Sequence, residues 1–314
     1  MENIKYLLDL DKYKSVKSIL FIAGELGKKE NIDIYVVGGF VRDLLMDNNI
    51  NDIDIMVVGD GISFAKKLAL QLGQKKIVPF PKFGTAIIPN KNINIEIATA
   101  RTESYLNDSR KPTKVVYTDL KGDLCRRDFT INAMAMDIHP TYFGNLTDLF
   151  NGKIDINKKI IKTPLDPDET FSEDPLRMMR AAYFSSKLDF KIEQSLLDSI
   201  KRTSHRIEIV SSERIRDEFI KILKTNKPSI GIIILQKSGL LKYIFPEIDI
   251  MHGMDQTSEW HHKDIFTHTL QVVDNAARLT KKMEIRFAAL VHDIAKPQTR
   301  RIDKNKGYTF HGHD

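Results

Sequence analysis

The scarcities of this chain narrow its class before any motif does. Its 314 residues hold a single cysteine, Cys125, which rules out an intramolecular disulfide and suits a reducing cytoplasm. No apolar run approaches the ~18–20 residues of a membrane span. Met1-Glu2-Asn3 does not open a secretion signal. A membrane partner is therefore not expected, and neither is a disulfide-stapled secreted domain. Internal repeats and low-complexity tracts are also missing. What is present, 42% hydrophobic and 29% charged residues, is ample for two or three domains. A net charge of +6 and a pI near 9.1 favour an anionic partner.

Two short segments carry chemistry. Ile34-Tyr35-Val36-Val37 reads as a strand that Gly38-Gly39 ends with backbone able to come close to a ligand. Val41-Arg42-Asp43-Leu44-Leu45 then starts a helix whose unsatisfied N–H groups face whatever rests on the glycines. Ile50 to Val58 reads as the next strand. Side chains alternate across it, so Asp52 and Asp54 share one face while Ile53, Ile55 and Val57 take the other. Adjacent carboxylates repel and favour protonation of one unless a cation neutralises them. Mg²⁺, which takes carboxylate oxygens together with substrate phosphates, is the expected ion.

Strand, Gly-Gly, Arg-Asp and then Asp-x-Asp on a second strand resembles the nucleotidyltransferase superfamily that includes DNA polymerase β. In the form GG-x-VRD-LL…D-x-D it is similar to the signature of class II tRNA nucleotidyltransferases (CCA-adding enzymes) and bacterial poly(A) polymerases. The resemblance implies an α+β fold: a polymerase β-like palm with a mostly antiparallel sheet, an all-α neck and body, and part of an α-helical HD domain. It implies addition of C, C and A to the 3′ end of tRNA from CTP and ATP, with Mg²⁺ and release of pyrophosphate.

Residues 1–30 read as helices, and another helix runs from Ile62 to Leu72, ended by Gly73. Short strands follow at Ile77–Phe80, Thr85–Ile88 and Ile93–Ile97; the last puts Asn94 and Glu96 on one face. A palm of this kind needs a third carboxylate beside the pair, to hold metal and orient the primer hydroxyl. The resemblance points to Glu96, although an ordinary polar outer face reads the same way. Tyr105 to Pro112 reads as a mobile polar loop. Asp123-Leu124-Cys125-Arg126-Arg127-Asp128-Phe129-Thr130-Ile131-Asn132-Ala133 follows, and such polar residues are costly to bury unless a ligand satisfies them. In class II enzymes the RRDFT-x-NA-x-A block contacts sugar and triphosphate. The resemblance therefore implies Arg126 and Arg127 near phosphates and Asp128 on the ribose hydroxyls. Asn132, Gly38, Gly39 and Arg42 complete the nucleotide-binding set.

Thr170 to Pro175 reads as a helix start, with Ser172 as cap and Pro175 tolerated in the first turn. Asp174 and Arg177, three apart, then share a helix face, and Arg180 follows one turn later. A carboxylate accepts from the exocyclic amine of C or A while Arg donates to the neighbouring ring nitrogen; uracil and guanine would be repelled. An i,i+3 salt bridge is the plain alternative. The resemblance favours base selection, because ED-x-x-R-x-x-R is the base-selecting motif of class II CCA-adding enzymes. Ser211 to Glu218 is similar to the following family motif and reads as a brace for that helix. From Lys201 to Lys227 eight Lys/Arg face four Asp/Glu, which fits either a solvated helical face or a grip on tRNA backbone.

Seven of the nine histidines follow Phe245: His252, His261, His262, His268, His292, His311 and His313. His268 falls on a helix from Asp264 to Leu279, and His292-Asp293 on one from Ile285 to Ala295, stopped by Pro297. Imidazoles with a carboxylate suit a transition metal. The pattern resembles the HD phosphohydrolase superfamily, which implies His268, His292 and Asp293 as metal ligands, with His311 or His313 on a second ion or phosphate. That family's distal Asp would lie beyond Asp314, so hydrolysis is not the expected activity. The domain reading is 1–165 for the head, 166–250 for the neck and body, and 251–314 for part of an HD domain. The same motifs admit a poly(A) polymerase, a CC-only or A-only enzyme, or an HD hydrolase with an inactive palm. Phe83-Gly84-Thr85-Ala86 looks like the CCA-adding form.

Overall fold

Short Ile- and Val-rich runs, separated by glycine and polar turns, build the first of two units, Met1–Asp166, around one sheet. The computed structural model describes residues 2–90, 93–106, 109–254, 264–303 and 307–312. Helix α1, Lys14–Glu30, buries Val16, Ile19, Leu20, Ala23 and Leu26 at helical spacing and ends on left-handed Asn31. The chain continues through β1 (Ile34–Val37), α2 (Gly39–Leu45), β2 (Asp52–Val57), α3 (Gly61–Gln71), β3 (Val78–Phe80), β4 (Thr85–Ile88) and β5 (Asn94–Thr99). After β6 (Arg101–Leu106) and β7 (Ser109–Tyr117) come α4 (Leu120–Cys125), β8 (Met134–Asp137), β9 (Leu146–Asp148) and α5 (Gly152–Lys158).

The main sheet has seven strands in the order β3-β4-β5-β2-β1-β8-β9. Among the described residues β2 and β5 run parallel, and the other neighbours in it are antiparallel. On β2, Ile53, Ile55 and Val57 are buried, and α3 packs over β4 and β5. Met56 takes the opposite face and joins Val37, Ala100, Leu124 and Ala135 in a buried cluster. One face of β2 therefore begins acidic, at Asp52 and Asp54, and ends in apolar core.

The expected loop at Tyr105–Pro112 is instead part of an antiparallel ribbon, β6 with β7, in which Arg101 faces Tyr117 and Leu106 faces Ser109. Asn107 and Asp108 lie outside the described residues. Backbone hydrogen bonds hold such a ladder, and a polar composition does not forbid them.

The second unit, Pro167–Asp314, is mostly helical, with a short antiparallel ribbon that pairs Arg301–Asp303 with Gly307–Thr309. It contains α6 (Pro167–Glu173), α7 (Leu176–Leu188), α8 (Gln194–Thr203), α9 (Ser212–Leu223), α10 (Pro228–Lys237), α11 (Leu241–Ile244) and α12 (Pro246–Asp249). Helices α13 (Ile265–Leu279), α14 (Met283–Val291) and α15 (Lys296–Thr299) follow. Helix α7 packs on α9 and α10, and α13 packs on α10 and α14. Two boundaries differ from expectation. Thr170–Glu173 ends a helix rather than starting one, because Pro175 has no N–H and disfavours helical geometry at Asp174. Helix α14 stops at Val291, so His292 is its C-cap and Asp293 lies beyond it. Among the described residues no helix is long and apolar enough to cross a membrane.

Candidate active site

Strand register brings the acids together. In the parallel pair, Asp52 lies beside Asn94 and Asp54 beside Glu96. Asp52, Asp54, Asn94 and Glu96, with Ile87, line a cleft of about 400 Å³. Asn94 Nδ2 donates to Asp52 Oδ1 at 3.2 Å. Burial pushes the Asp54 carboxyl up to about 6, Glu96 and Asp52 push the same way, and Arg127 and Arg42 oppose them. An all-oxygen donor set around a carboxylate so poorly stabilised as an anion fits a divalent metal ion.

Gly38 joins β1 to α2 with φ of +68°, a conformation that favours glycine. A Cβ at Gly38 would come within 2.7 Å of Arg127 Nη1 and 3.8 Å of Asp54 Oδ2. Gly39 lies against the Arg42 guanidinium, 3.4 Å from a Cβ position. The structure thus places the glycines, Arg127 and the acids in one locality. Arg42 stands behind this surface, 3% exposed. Its Nε and Nη2 donate to the Asp43 carboxylate at 3.0 and 2.7 Å, and Nη1 donates to Asn132 Oδ1 at 2.6 Å. Asn132 Nδ2 in turn donates to Asp128 Oδ1 at 3.0 Å. Arg42 is therefore bonded within a buried row that ends on Asp128.

Asp123, to which the sequence reading assigned no role, holds Arg126 and Arg127 together. Oδ1 accepts from Arg126 Nε and Nη2 at 3.0 and 2.6 Å, and Oδ2 from Arg127 Nε and Nη2 at 3.1 and 2.8 Å. Burial alone would raise the Asp123 carboxyl, but Arg127 and Arg126 outweigh it and hold the group below 3.8. The signal was available: an acid three and four residues ahead of two adjacent arginines faces both on a helical turn.

In the second unit, Asp174 occupies the junction of α6 and α7. Its Oδ1 accepts from Leu176 N–H at 3.1 Å and its Oδ2 from Arg214 at 3.3 Å. Arg177 Nη1 donates to Glu173 at 2.7 Å and to the Thr170 carbonyl at 3.2 Å. Arg180 lies 4.0 Å from Glu218. Arg214 and Glu218 both belong to the Ser211–Glu218 motif, so that motif does brace this segment, although Ser211 makes no side-chain cap. Of the basic residues after Lys201, Arg202 pairs with Asp168 and Arg216 with Asp217 at the surface, and Lys221 reaches the buried Glu218.

Near the C-terminus, His268, His292 and Asp293 bring their ligand atoms within 4.8 Å of one another. His292 Nδ1 donates to the Ala289 carbonyl at 2.9 Å, leaving Nε2 facing Asp293 Oδ2 at 3.2 Å. Those two atoms are both acceptors unless a proton or a metal sits between them, so the residues fit a metal ion. Lys296 Nζ also reaches Asp293 Oδ2, at 2.8 Å. His252 stacks edge-on against Phe266 and His311 is exposed; His261, His262 and His313 lie outside the described residues.

A sheet that presents paired acids beside a glycine turn and an arginine pair defines a nucleotidyltransferase head. Three family models match the chain: "Poly A polymerase head domain" over residues 34–162, "Probable RNA and SrmB-binding site of polymerase A" over 189–251, and "HD domain" over 265–314. The Multifunctional CCA protein of Shewanella frigidimarina is 36% identical over 286 residues, covering 88% of this chain and 65% of that protein. The CCA-adding enzyme of Ligilactobacillus salivarius is 38% identical over 234 residues, covering 74% and 55%. The chain thus spans less than two thirds of the length of these relatives. A solved CCA-adding enzyme in an apo form superposes with a TM-score of 0.76 at 30% identity, over 94% of this chain and 67% of that one. A tRNA nucleotidyltransferase complexed with a primer tRNA and an incoming ATP analog gives 0.68 at 29%, over 86% and 75%. This chain belongs to the family of CCA-adding tRNA nucleotidyltransferases.

Proposed function

We propose that this chain adds C, C and A to the 3′ end of tRNA, using CTP and ATP without a template. The observation that carries the reading is the register of β2 on β5, which sets Asp54 against Glu96 and beside Asp52. In the reaction the RNA 3′-hydroxyl gives up its proton to solvent, its oxygen bonds to the α-phosphorus, the bond from that phosphorus to the oxygen of the β-phosphate breaks, and pyrophosphate leaves. Asp52 and Asp54 hold Mg²⁺, and Glu96 orients the primer hydroxyl. When bound, two Mg²⁺ ions supply charge neutralisation at the attacking and leaving oxygens. Arg126 and Arg127 take the triphosphate, Gly38 and Gly39 let it approach, and Asp128 receives the ribose hydroxyls. Arg42 and Asn132 hold Asp128 in place. Little covalent chemistry falls to the protein, so catalysis is positioning plus charge neutralisation.

Asp174 and Arg177, with Arg180, select C and A over U and G. His268, His292 and Asp293 hold a transition metal. The domain division follows the same roles, with 1–165 transferring, 166–250 reading base and tRNA, and 251–314 forming part of an HD domain. A single cysteine suits work in the cytoplasm.

Nucleotide incorporation with Mg²⁺, CTP and ATP on three RNAs tests the reading: tRNA lacking CCA, tRNA ending in CC, and an unstructured oligonucleotide. CCA on the first and A on the second, then a stop, is the expected result. Only CC or only A marks a split-activity enzyme. A long A tail on the oligonucleotide marks a poly(A) polymerase, and no incorporation anywhere overturns transfer.

A further inference from the structure

We propose that Asp123 is a positioning residue for the nucleotide: it sets the guanidinium edges that Arg126 and Arg127 turn toward the triphosphate. The inference deepens the transfer reading and rests on it. Asp123 is 1% exposed, within the short helix α4. Its two oxygens serve different arginines, and each arginine uses the same Nε–Nη2 edge, with bonds of 3.0 and 2.6 Å for Arg126, whose Nε also donates to the Arg101 carbonyl at 2.7 Å, and 3.1 and 2.8 Å for Arg127. A planar guanidinium fixed by two N–H bonds keeps one orientation, so its Nη1 group is aimed by the carboxylate behind it. For Arg127 the aim is onto Gly38, where a Cβ would come within 2.7 Å of Nη1.

Charge explains why an anion belongs behind an anion-binding pair. Two adjacent arginines repel each other, and Asp123 offsets one of their charges while leaving the trio net positive. Without it, Arg127 is left with the Asp54 carboxylate, whose charge it already offsets, as an alternative anion. A guanidinium drawn there would sit where the metal belongs and would no longer face phosphate. Asp123 thus keeps the cations of the protein apart from the acids that take the metal.

The test is binding of CTP and of CMP, each with Mg²⁺, to the full chain and to Asp123→Asn, by calorimetric titration. Asn keeps the shape but loses the charge and turns a donor toward the guanidiniums. The preference for CTP over CMP should fall about ten-fold or more, with CMP affinity retained, since a charge-assisted bidentate contact is at stake. A merely structural role for Asp123 would weaken both nucleotides together, and that result overturns the proposal. Preference retained in Asp123→Asn also overturns it while leaving the transfer reading intact. No preference in the unmodified chain overturns both. If Asp123→Asn does not fold, Arg127→Lys carries the test, because Lys keeps the ion pair but not the two-bond edge. The same loss of preference is expected there, and an unchanged preference overturns the proposal.

Discussion

Asp54 is an anion held where an anion is poorly stabilised, with burial and Glu96 pushing its carboxyl up to about 6. A cation bound there would offset that charge, as the proposed transfer requires. Asp52→Ala and Asp54→Ala should each abolish transfer while leaving tRNA binding nearly intact, measured by incorporation and by filter binding. Strong residual transfer at saturating Mg²⁺ in both variants would contradict the assignment. Gly38 is the second test at this scale. Gly38→Ala combines a left-handed φ of +68° with a Cβ 2.7 Å from Arg127 Nη1. The backbone term alone costs about 1–3 kcal/mol, because φ +68° with ψ −130° is a region that only glycine adopts readily. A fall of about ten-fold or more in kcat/KM for CTP is expected, with KM for tRNA unchanged.

Elements are tied to one another by buried charges. Arg286 of α14 is 1% exposed and donates to four carbonyls. These are Ala277 in the last turn of α13 and Thr280 just after it, at 2.9 Å each, and Leu223 at the end of α9 and Thr225 just beyond it, at 2.7 and 2.9 Å. It satisfies the carbonyls that two helix ends leave over. Arg286→Leu should destabilise the second unit by at least about 1–3 kcal/mol, the cost of leaving a buried acceptor unpaired, read from denaturant unfolding. Helix α4 carries a pH-dependent element of the same kind. Arg127 and Arg126 together outweigh burial and hold the Asp123 carboxyl below 3.8, the usual value. A depressed carboxyl contributes stability that is fully present above its unfolded-state pKa and lost as pH falls through the folded one. Stability should therefore drop on acidification below about pH 4 by a component that Asp123→Asn lacks. Thermal melts of both proteins across that range check it; equal slopes would contradict it. The break between α6 and α7 was legible only in part. Pro175 announced a boundary, yet it ends one helix and begins another, and Asp174 sits at the joint with Arg214 as its partner.

For the whole molecule, the division at Asp166 separates a sheet unit from a helical unit, each with its own buried core. The proposed division of labour predicts that a fragment of residues 1–166 folds and binds nucleotide triphosphates. It should lose the preference of C and A over U and G, because Asp174, Arg177 and Arg180 are outside it. Circular dichroism and competition binding with the four nucleotides check this. A fragment that still discriminates would place base selection in the head.

By itself the sequence determined the classes of element, the acidic strand, the glycine turn and the clustering of histidines. Those depend on neighbours a few residues apart, through alternation, helical spacing and turn chemistry. It also put Asn94 and Glu96 on one face of their strand, which lies beside Asp52 and Asp54. Tertiary structure alone decided which distant groups meet. Strand register sets Asp54 beside Glu96, and Arg42 reaches Asn132 90 residues away. His268 meets Asp293 only because α13 and α14 pack. The physical reason is that pairing partners are chosen by packing and desolvation over the folded chain, while local periodicity carries no record of which strand lies next to which. Asp123 stands between the two cases. Its spacing to Arg126 and Arg127 was written in the sequence, but only its burial turned a common ion pair into the setting of both guanidiniums.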